Sequence, residues 1–454
     1  MFAGASLHPS TAAQRSGDGK VTLFTGARLI TDGDKPPIED SSFLVEGDKI
    51  VKVGRRSDVQ APAGALRVDL SGKTVIPALV NAHGHVGFQK DVSFEKANYT
   101  RENIINQLKQ YAYYGVGAVM TAGTDEGDIS YQLRAQPVPG AALLRTAGRG
   151  FAMPNAGPGG AAMRDAPYGV TTEEGARKDV QEIAAKKPDL IKIWVDDRGG
   201  SVQKLTPTLY RAIIDEAHRH KIRVMAHVFY LADARDLVDA GVDGFLHSVR
   251  DAEMDDALVA RMKQRNVFIT PNLSISGRGI ATQPPWFDDP ILAEVFSPAA
   301  IALARPPQNQ NANAGRGRGN AATPNQPSSY EMQIRSLTKL NTAGVTIALG
   351  DDSGIQNSYP GYAALRQLER MAESGMTPQQ VLVASTRTAA DVLRLTDMGS
   401  IAPGKSASFV VLDANPLDNL ANARKISKVY LRGQEIDRAA LRAQWTGGTS
   451  RNIF

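Results

Sequence analysis

Between residues 75 and 352 the chain alternates short apolar runs with stretches of helical period. The run Val75–Val86 is buried-strand in type, and Ile104, Leu108 and Tyr111 then mark one face of a helix over 103–114. Strands follow at 117–121 and 141–146, and a glycine-rich loop runs through Gly160. From there helix and strand alternate. Helix 172–186 leads to strand 190–195, helix 206–220 to strand 223–227, and helix 231–240 to strand 244–247. Helix 255–265 then leads to strand 267–270, and helix 330–343 to strand 346–352. Eight apolar strands, mostly separated by amphipathic helices, predict an α/β fold closed as a (β/α)₈ barrel.

Both flanks read differently. Residues 21–69 hold four short strands, with Gly47-Asp48 placed as a hairpin turn between two of them. After a helix over 377–394, strands recur at 408–413 and 428–432. Each is too short to stand alone, so the two chain ends are expected to share one β unit. Residues 1–20 lack hydrophobic period and the apolar core of a signal peptide, and read as a disordered tail. They fit either a plain start or the remnant of a removed signal. Residues 305–328, with Asn, Gln and Gly-Arg-Gly-Arg-Gly, read as a low-complexity insertion with too little apolar surface to order itself. Upstream of it, Trp286, Phe287 and Phe296 are candidates for a lid over the barrel mouth.

Composition adds exclusions. In 454 residues, 52 basic side chains face 47 acidic ones, a net +5 spread along the chain, which is not the footprint of a nucleic-acid binder. No apolar run reaches membrane-spanning length, so a soluble protein is expected, cytoplasmic or periplasmic. With 0 cysteines, disulfides and thiolate-bound zinc are excluded.

Chemistry gathers at one end of the predicted barrel. His83 and His85 alternate around Gly84, so both point to the same face of a strand end, as half of a metal site would. His227 and His247 end the fifth and sixth strands, and Asp351-Asp352 end the eighth. Lys192 sits among Leu190, Ile191, Ile193 and Trp194, where an unpaired ammonium is costly. Two readings of Lys192 stay open. Its neutral amine captures CO₂ as a metal-bridging carbamate, or its ammonium snorkels to a carboxylate such as Asp196.

His83-Gly84-His85, the Ile-Lys-Ile strand, His227, His247 and Gly350-Asp351-Asp352-Ser353 resemble the amidohydrolase superfamily, in its imidazolonepropionase-like and metal-dependent dipeptidase branch. Pro403-Gly404-Lys405-Ser406-Ala407 resembles that branch's return into its small domain. The resemblance implies a barrel over 73–398 and a composite β-sandwich domain from 21–72 and 399–454. It implies two divalent metal ions, zinc first among the candidates with manganese or iron as substitutes. His83, His85 and Asp352 would hold one ion; Lys192, as N6-carboxylysine, would bridge to a second held by His227 and His247. A water acidified by the two cations would attack a carbonyl, with Asp352 moving the proton to the leaving nitrogen.

Tyr230 is a candidate donor to the developing oxyanion or a rim-packing tyrosine. The branch's histidine after the third strand is missing from 148–160, so Arg145 or Arg149 is a candidate for holding a substrate carboxylate, or a surface charge. The implied activity is hydrolysis of an amide C–N bond in a small substrate such as a dipeptide or N-acyl amino acid. A cyclic amide, carbamate or ester on the same site is the alternative, and a non-catalytic metal-bound scaffold is the alternative of another class. A scaffold has no need of Asp352. The resemblance also implies a homo-oligomer, and the charge balance and the absence of a long apolar run argue against a nucleic-acid or membrane partner.

Overall fold

The computed structural model describes residues 21–277, 288–304, 327–355 and 357–447. The expected tail 1–20, Trp286, Phe287 and nearly all of the low-complexity stretch lie outside the described residues.

Both chain ends meet in one eight-stranded mixed sheet. Val21–Leu29 pairs antiparallel with Ile38–Glu46 and parallel with Leu66–Asp69 and Thr74–Pro77. Phe409–Leu412 pairs antiparallel with Thr74–Pro77 on one side and Ile426–Leu431 on the other. Hydrogen bonding thus joins strands from both chain ends into one network. Its buried face is aromatic: Phe24 and Phe43 stack at 4.9 Å, and Phe409 stacks on Tyr430 at 4.7 Å. The Gly47-Asp48 turn joins two strands as expected.

The run 75–86 is two strands instead of one. Thr74–Pro77 belongs to the terminal sheet, while Leu79–Gly84 pairs with Val116–Thr121. Pro77 has no N–H to continue a ladder, so the chain changes sheets there.

Apart from the small antiparallel pair Gln89–Lys90 and Ser93–Phe94, the remaining strand pairings are parallel. Val116–Thr121 pairs with Leu143–Thr146, and the Asp189 N–H reaches the Thr146 carbonyl at 2.8 Å. Ile191–Val195, Val224–Val228, Gly244–Phe245 and Phe268–Ile269 follow as neighbours. The eighth expected strand, 346–352, is present only as bridges, Ile269 to Ile347 and Gly84 to Ser353. Backbone bonds from Ala82 N to Leu349 O (2.8 Å) and from His85 N to Ser353 O (2.7 Å) lead from it back to Leu79–Gly84. Leu79–Gly84, Val116–Thr121, Ile191–Val195, Gly244–Phe245 and Phe268–Ile269 are buried on both faces, which explains their mostly apolar text.

The helices match the periodic stretches, for example Glu173–Ala185 behind a Thr172 cap and Pro207–Arg219 behind Thr206. The expected helix 377–394 breaks at Thr386 into Pro378–Ser385 and Arg387–Val392. Ser385 and Thr386 hydroxyls bond back to the Val381 and Leu382 carbonyls, competing with the backbone ladder. Phe296 is buried against Tyr359, with centroids 4.7 Å apart. Among the described residues, no helix is long and apolar enough to cross a membrane.

Candidate metal centre

The strand ends deliver four imidazoles, a lysine and a carboxylate to one place. His83 and His85 leave the Leu79–Gly84 strand, and the 351–354 segment is pinned to their backbone. The N–H groups of Asp351 and Asp352 both reach the His83 carbonyl, at 3.1 and 2.9 Å. A side chain on Gly354 would collide with the His85 carbonyl, so this approach requires glycine at a φ of +84°.

Asp352 is the focus. Its Oδ1 lies 3.1 Å from His85 Nε2 and 3.4 Å from His83 Nε2, and its Oδ2 lies 3.9 Å from His247 Nε2. Ligand atoms of His83, His247 and Asp352 all fall within 4.8 Å of one another. Burial pushes the Asp352 carboxyl up, but His83, His85 and Lys192 outweigh it and hold it well below the usual carboxylate range. Asp351 faces elsewhere, accepting from Asn81 Nδ2 at 2.7 Å and Ser353 Oγ at 2.6 Å. Burial raises its carboxyl to about 6.

Lys192 is fully buried. Its Nζ is 3.5 Å from His83 Nε2 and 5.0 Å from the Trp194 ring centroid. Asp196 instead accepts from His227 Nε2 at 3.1 Å, so the snorkelling alternative for Lys192 does not occur. Desolvation, opposed by Asp352, lowers the amine to about 7. Burial also lowers His227 to about 4, and pushes His83 and His247 well below the ordinary imidazole range. These rings are neutral at pH 7, the form that ligates metals.

Each ring is oriented from behind. Thr124 Oγ1 is 2.9 Å from His85 Nδ1, and Asn272 Nδ2 is 2.7 Å from His83 Nδ1 and 3.1 Å from His247 Nδ1. Asp196 occupies His227 Nε2 and leaves Nδ1 as its free nitrogen. Such partners fix tautomer and ring direction around a metal. None of Thr124, Asn272 or Arg250 was singled out in the sequence; Asp196 figured only as a partner for Lys192.

The remaining candidates are engaged elsewhere. Tyr230 donates its hydroxyl to Asp197 Oδ1 at 2.6 Å. Arg145 pairs with Asp189 at 3.3 Å. Arg149 donates to the carbonyls of Ala166 and Pro167, and its guanidinium lies 4.1 Å from the Tyr168 ring centroid. It lines a separate cavity of about 320 Å³ whose walls include none of the residues around Asp352.

The Amidohydrolase family model matches residues 74–436. An imidazolonepropionase from Streptomyces griseus is 24% identical over 422 residues, covering 88% of this chain and 93% of that protein. One from Streptomyces avermitilis is 23% identical, covering 94% and 99%. Among solved structures, a Xaa-Pro dipeptidase with bound methionine in its active site superposes with a TM-score of 0.70 at 20% identity, covering 92% of this chain and 99% of that one. Molinate hydrolase gives 0.71 at 18% identity, covering 93% and 96%. A family match over most of the chain, on a fold these structures share, settles the classification: the chain belongs to the amidohydrolase family, enzymes that hydrolyse carbon–nitrogen bonds.

Proposed function

We propose that this protein is a binuclear-metal hydrolase that cleaves the amide bond of a small substrate such as a dipeptide or N-acyl amino acid. The parallel strands read as a (β/α)₈ barrel, with the sheet from both chain ends as its small second domain. The observation that carries the reading is the convergence of three imidazole Nε2 atoms on Asp352 beside a fully buried Lys192.

The donor set fits a pair of divalent ions. The neutral rings of His83, His227 and His247, one ionised carboxylate and a desolvated amine make an unfavourable cluster by themselves. His83, His85 and Asp352 would hold one ion, and His227 and His247 the other. A Lys192 amine near 7 is substantially neutral at physiological pH. It can add to CO₂, losing one proton, to give a carbamate anion whose oxygens would serve as further ligands. Zinc suits this mixture of nitrogen and oxygen donors. Bound there, the ions would polarise a carbonyl and acidify a water.

The chain's own groups supply the rest. Asp352, ionised and facing three rings, takes the proton of the attacking water and returns it to the leaving nitrogen. Thr124, Asn272 and Asp196 hold the rings in ligating tautomers. Tyr230 can donate to a developing oxyanion only by exchanging its Asp197 bond for one to substrate.

The test measures metal per chain and turnover on a panel of N-acyl amino acids, dipeptides, lactams, carbamates and aryl esters. About two ions per chain with preferential turnover of linear amides is expected. The Streptomyces relatives named imidazolonepropionase favour keeping a ring-opening reading beside it, which preferential lactam turnover would select. A loaded protein inert on the whole panel refutes both.

A further inference from the structure

Arg250 follows His247 by three residues, in the loop after the Gly244–Phe245 strand. Its Nη2 lies 3.0 Å from His227 Nε2 and 3.4 Å from the Val228 carbonyl, and its guanidinium lies 4.9 Å from the Phe229 ring centroid. The guanidinium therefore stands at the edge of the imidazole cluster, on a residue of intermediate exposure. Its Nε is shut from solvent and lacks a hydrogen-bond partner.

Counter-charge is what this arginine lacks. Among the described residues no carboxylate comes within ion-pair distance of it. Asp196 hydrogen-bonds His227 Nε2 and makes no direct ion pair with Arg250. Asp196 and Asp352 act on Arg250 only as longer-range charges, and burial is the larger influence. Arg145, by contrast, is paired with Asp189, and Arg149 rests on backbone carbonyls. A desolvated guanidinium without a direct anion partner is costly, and its planar fork matches a carboxylate in two parallel bonds.

We propose that Arg250 receives the free carboxylate of the substrate, so that the site selects N-acyl amino acids and dipeptides over the same molecules with a blocked C-terminus. The proposal rests on the amide-hydrolase reading for the identity of the substrate, but not for the anion preference itself. It moves the carboxylate-binding role from Arg145 and Arg149 to a residue beside the second pair of histidines.

The test uses the full-length, metal-loaded protein with two probes, N-acetyl-phenylalanine and its carboxamide. Binding is followed by calorimetry, with initial rates and metal content measured in parallel. The wild type is expected to bind the acid at least about tenfold tighter, the range of one charge-assisted pair. Arg250→Met should lose that preference by weakening the acid alone, with the carboxamide and the metal content unchanged. Arg250→Lys should recover part of it, as a point charge without the fork.

Equal binding of the two probes by the wild type, or binding of neither, overturns the proposal. So does an Arg250→Met variant that weakens both probes alike or loses metal, since Arg250 would then be a support for His227. An acid preference in a protein that turns over no amide refutes the hydrolase reading and leaves Arg250 as the anion site. Amide turnover without acid preference does the reverse.

Discussion

Asp352 Oδ1 stands 3.1 Å from His85 Nε2, although 267 positions of chain, 85 to 352, separate the two residues. Two backbone bonds onto the His83 carbonyl and one from His85 N to Ser353 O set that distance. Asp352 itself adopts a φ of +54°, which aspartate tolerates better than bulkier residues. The backbone thus carries the carboxylate to the histidine rings.

Asp352→Asn keeps the shape and one oxygen but cannot take up a proton. Its kcat on any amide substrate is expected to fall about 10²–10⁴-fold, the range of a lost general acid–base group, with KM little changed. A variant with near-normal kcat would move proton transfer away from Asp352.

Lys192→Met separates the cost of the buried amine from its use. Between about 7, its folded value, and 10.5, its ordinary one, the unfolded chain holds more protons than the folded chain. Stability of the metal-free wild type should therefore rise with pH across that window, and the rise should be missing in Lys192→Met. The metal-free variant is expected to be at least as stable as wild type at pH 7 in urea, because an apolar chain of similar volume replaces a desolvated amine. Grown with ¹³C-bicarbonate, the loaded wild type should show a carbamate carbon resonance that the variant lacks. Its metal content should drop below two ions per chain. An unchanged ion count would exclude Lys192 as a bridge.

Thr124 hydrogen-bonds the far nitrogen of His85 at 2.9 Å. Thr124→Val preserves shape and removes that partner, and metal affinity by competition with a chelator is expected to weaken about 10–100-fold. Thr124→Ser should restore it. Equal affinity in all three proteins would show that His85 is oriented by packing alone.

Much of this site is written in local patterns. The period of two around Gly84 puts His83 and His85 on one face, and Lys192 stands out as a charge in apolar text. Thr124, Asn272 and Asp196 are ordinary loop residues whose importance depends on which ring they stand behind, and only tertiary placement supplies that. Arg250 carried a faint signal, a cation directly after the buried run Phe245-Leu246-His247-Ser248-Val249. The fold was legible where side-chain period decided it. It was misread where single backbone groups decide: at Pro77, where the chain changes sheets, and at Thr386, where a helix breaks. In 346–352, likewise, an apolar run forms bridges but no full strand.

Asp125 lies one residue beyond Thr124, fully buried, and no step of the proposed chemistry uses it. It accepts from Thr121 Oγ1 at 2.8 Å and from Thr146 Oγ1, and its N–H reaches the Gly148 carbonyl at 3.1 Å. Burial pushes its carboxyl up to about 7, against the pull of those hydroxyls. Between the ordinary value of 3.8 and about 7 the folded chain holds a proton that the unfolded chain has lost. This stabilising contribution is complete below 3.8 and disappears as pH rises through 7. Asp125→Asn is neutral throughout and escapes the loss. Urea denaturation of the metal-free proteins should therefore show the variant gaining on wild type steadily from about pH 4 to about pH 7, then running parallel to it. A difference independent of pH would mean that the hydroxyl shell keeps Asp125 ionised, with the segment carrying Thr124 to His85 held by charge from acid to alkaline conditions.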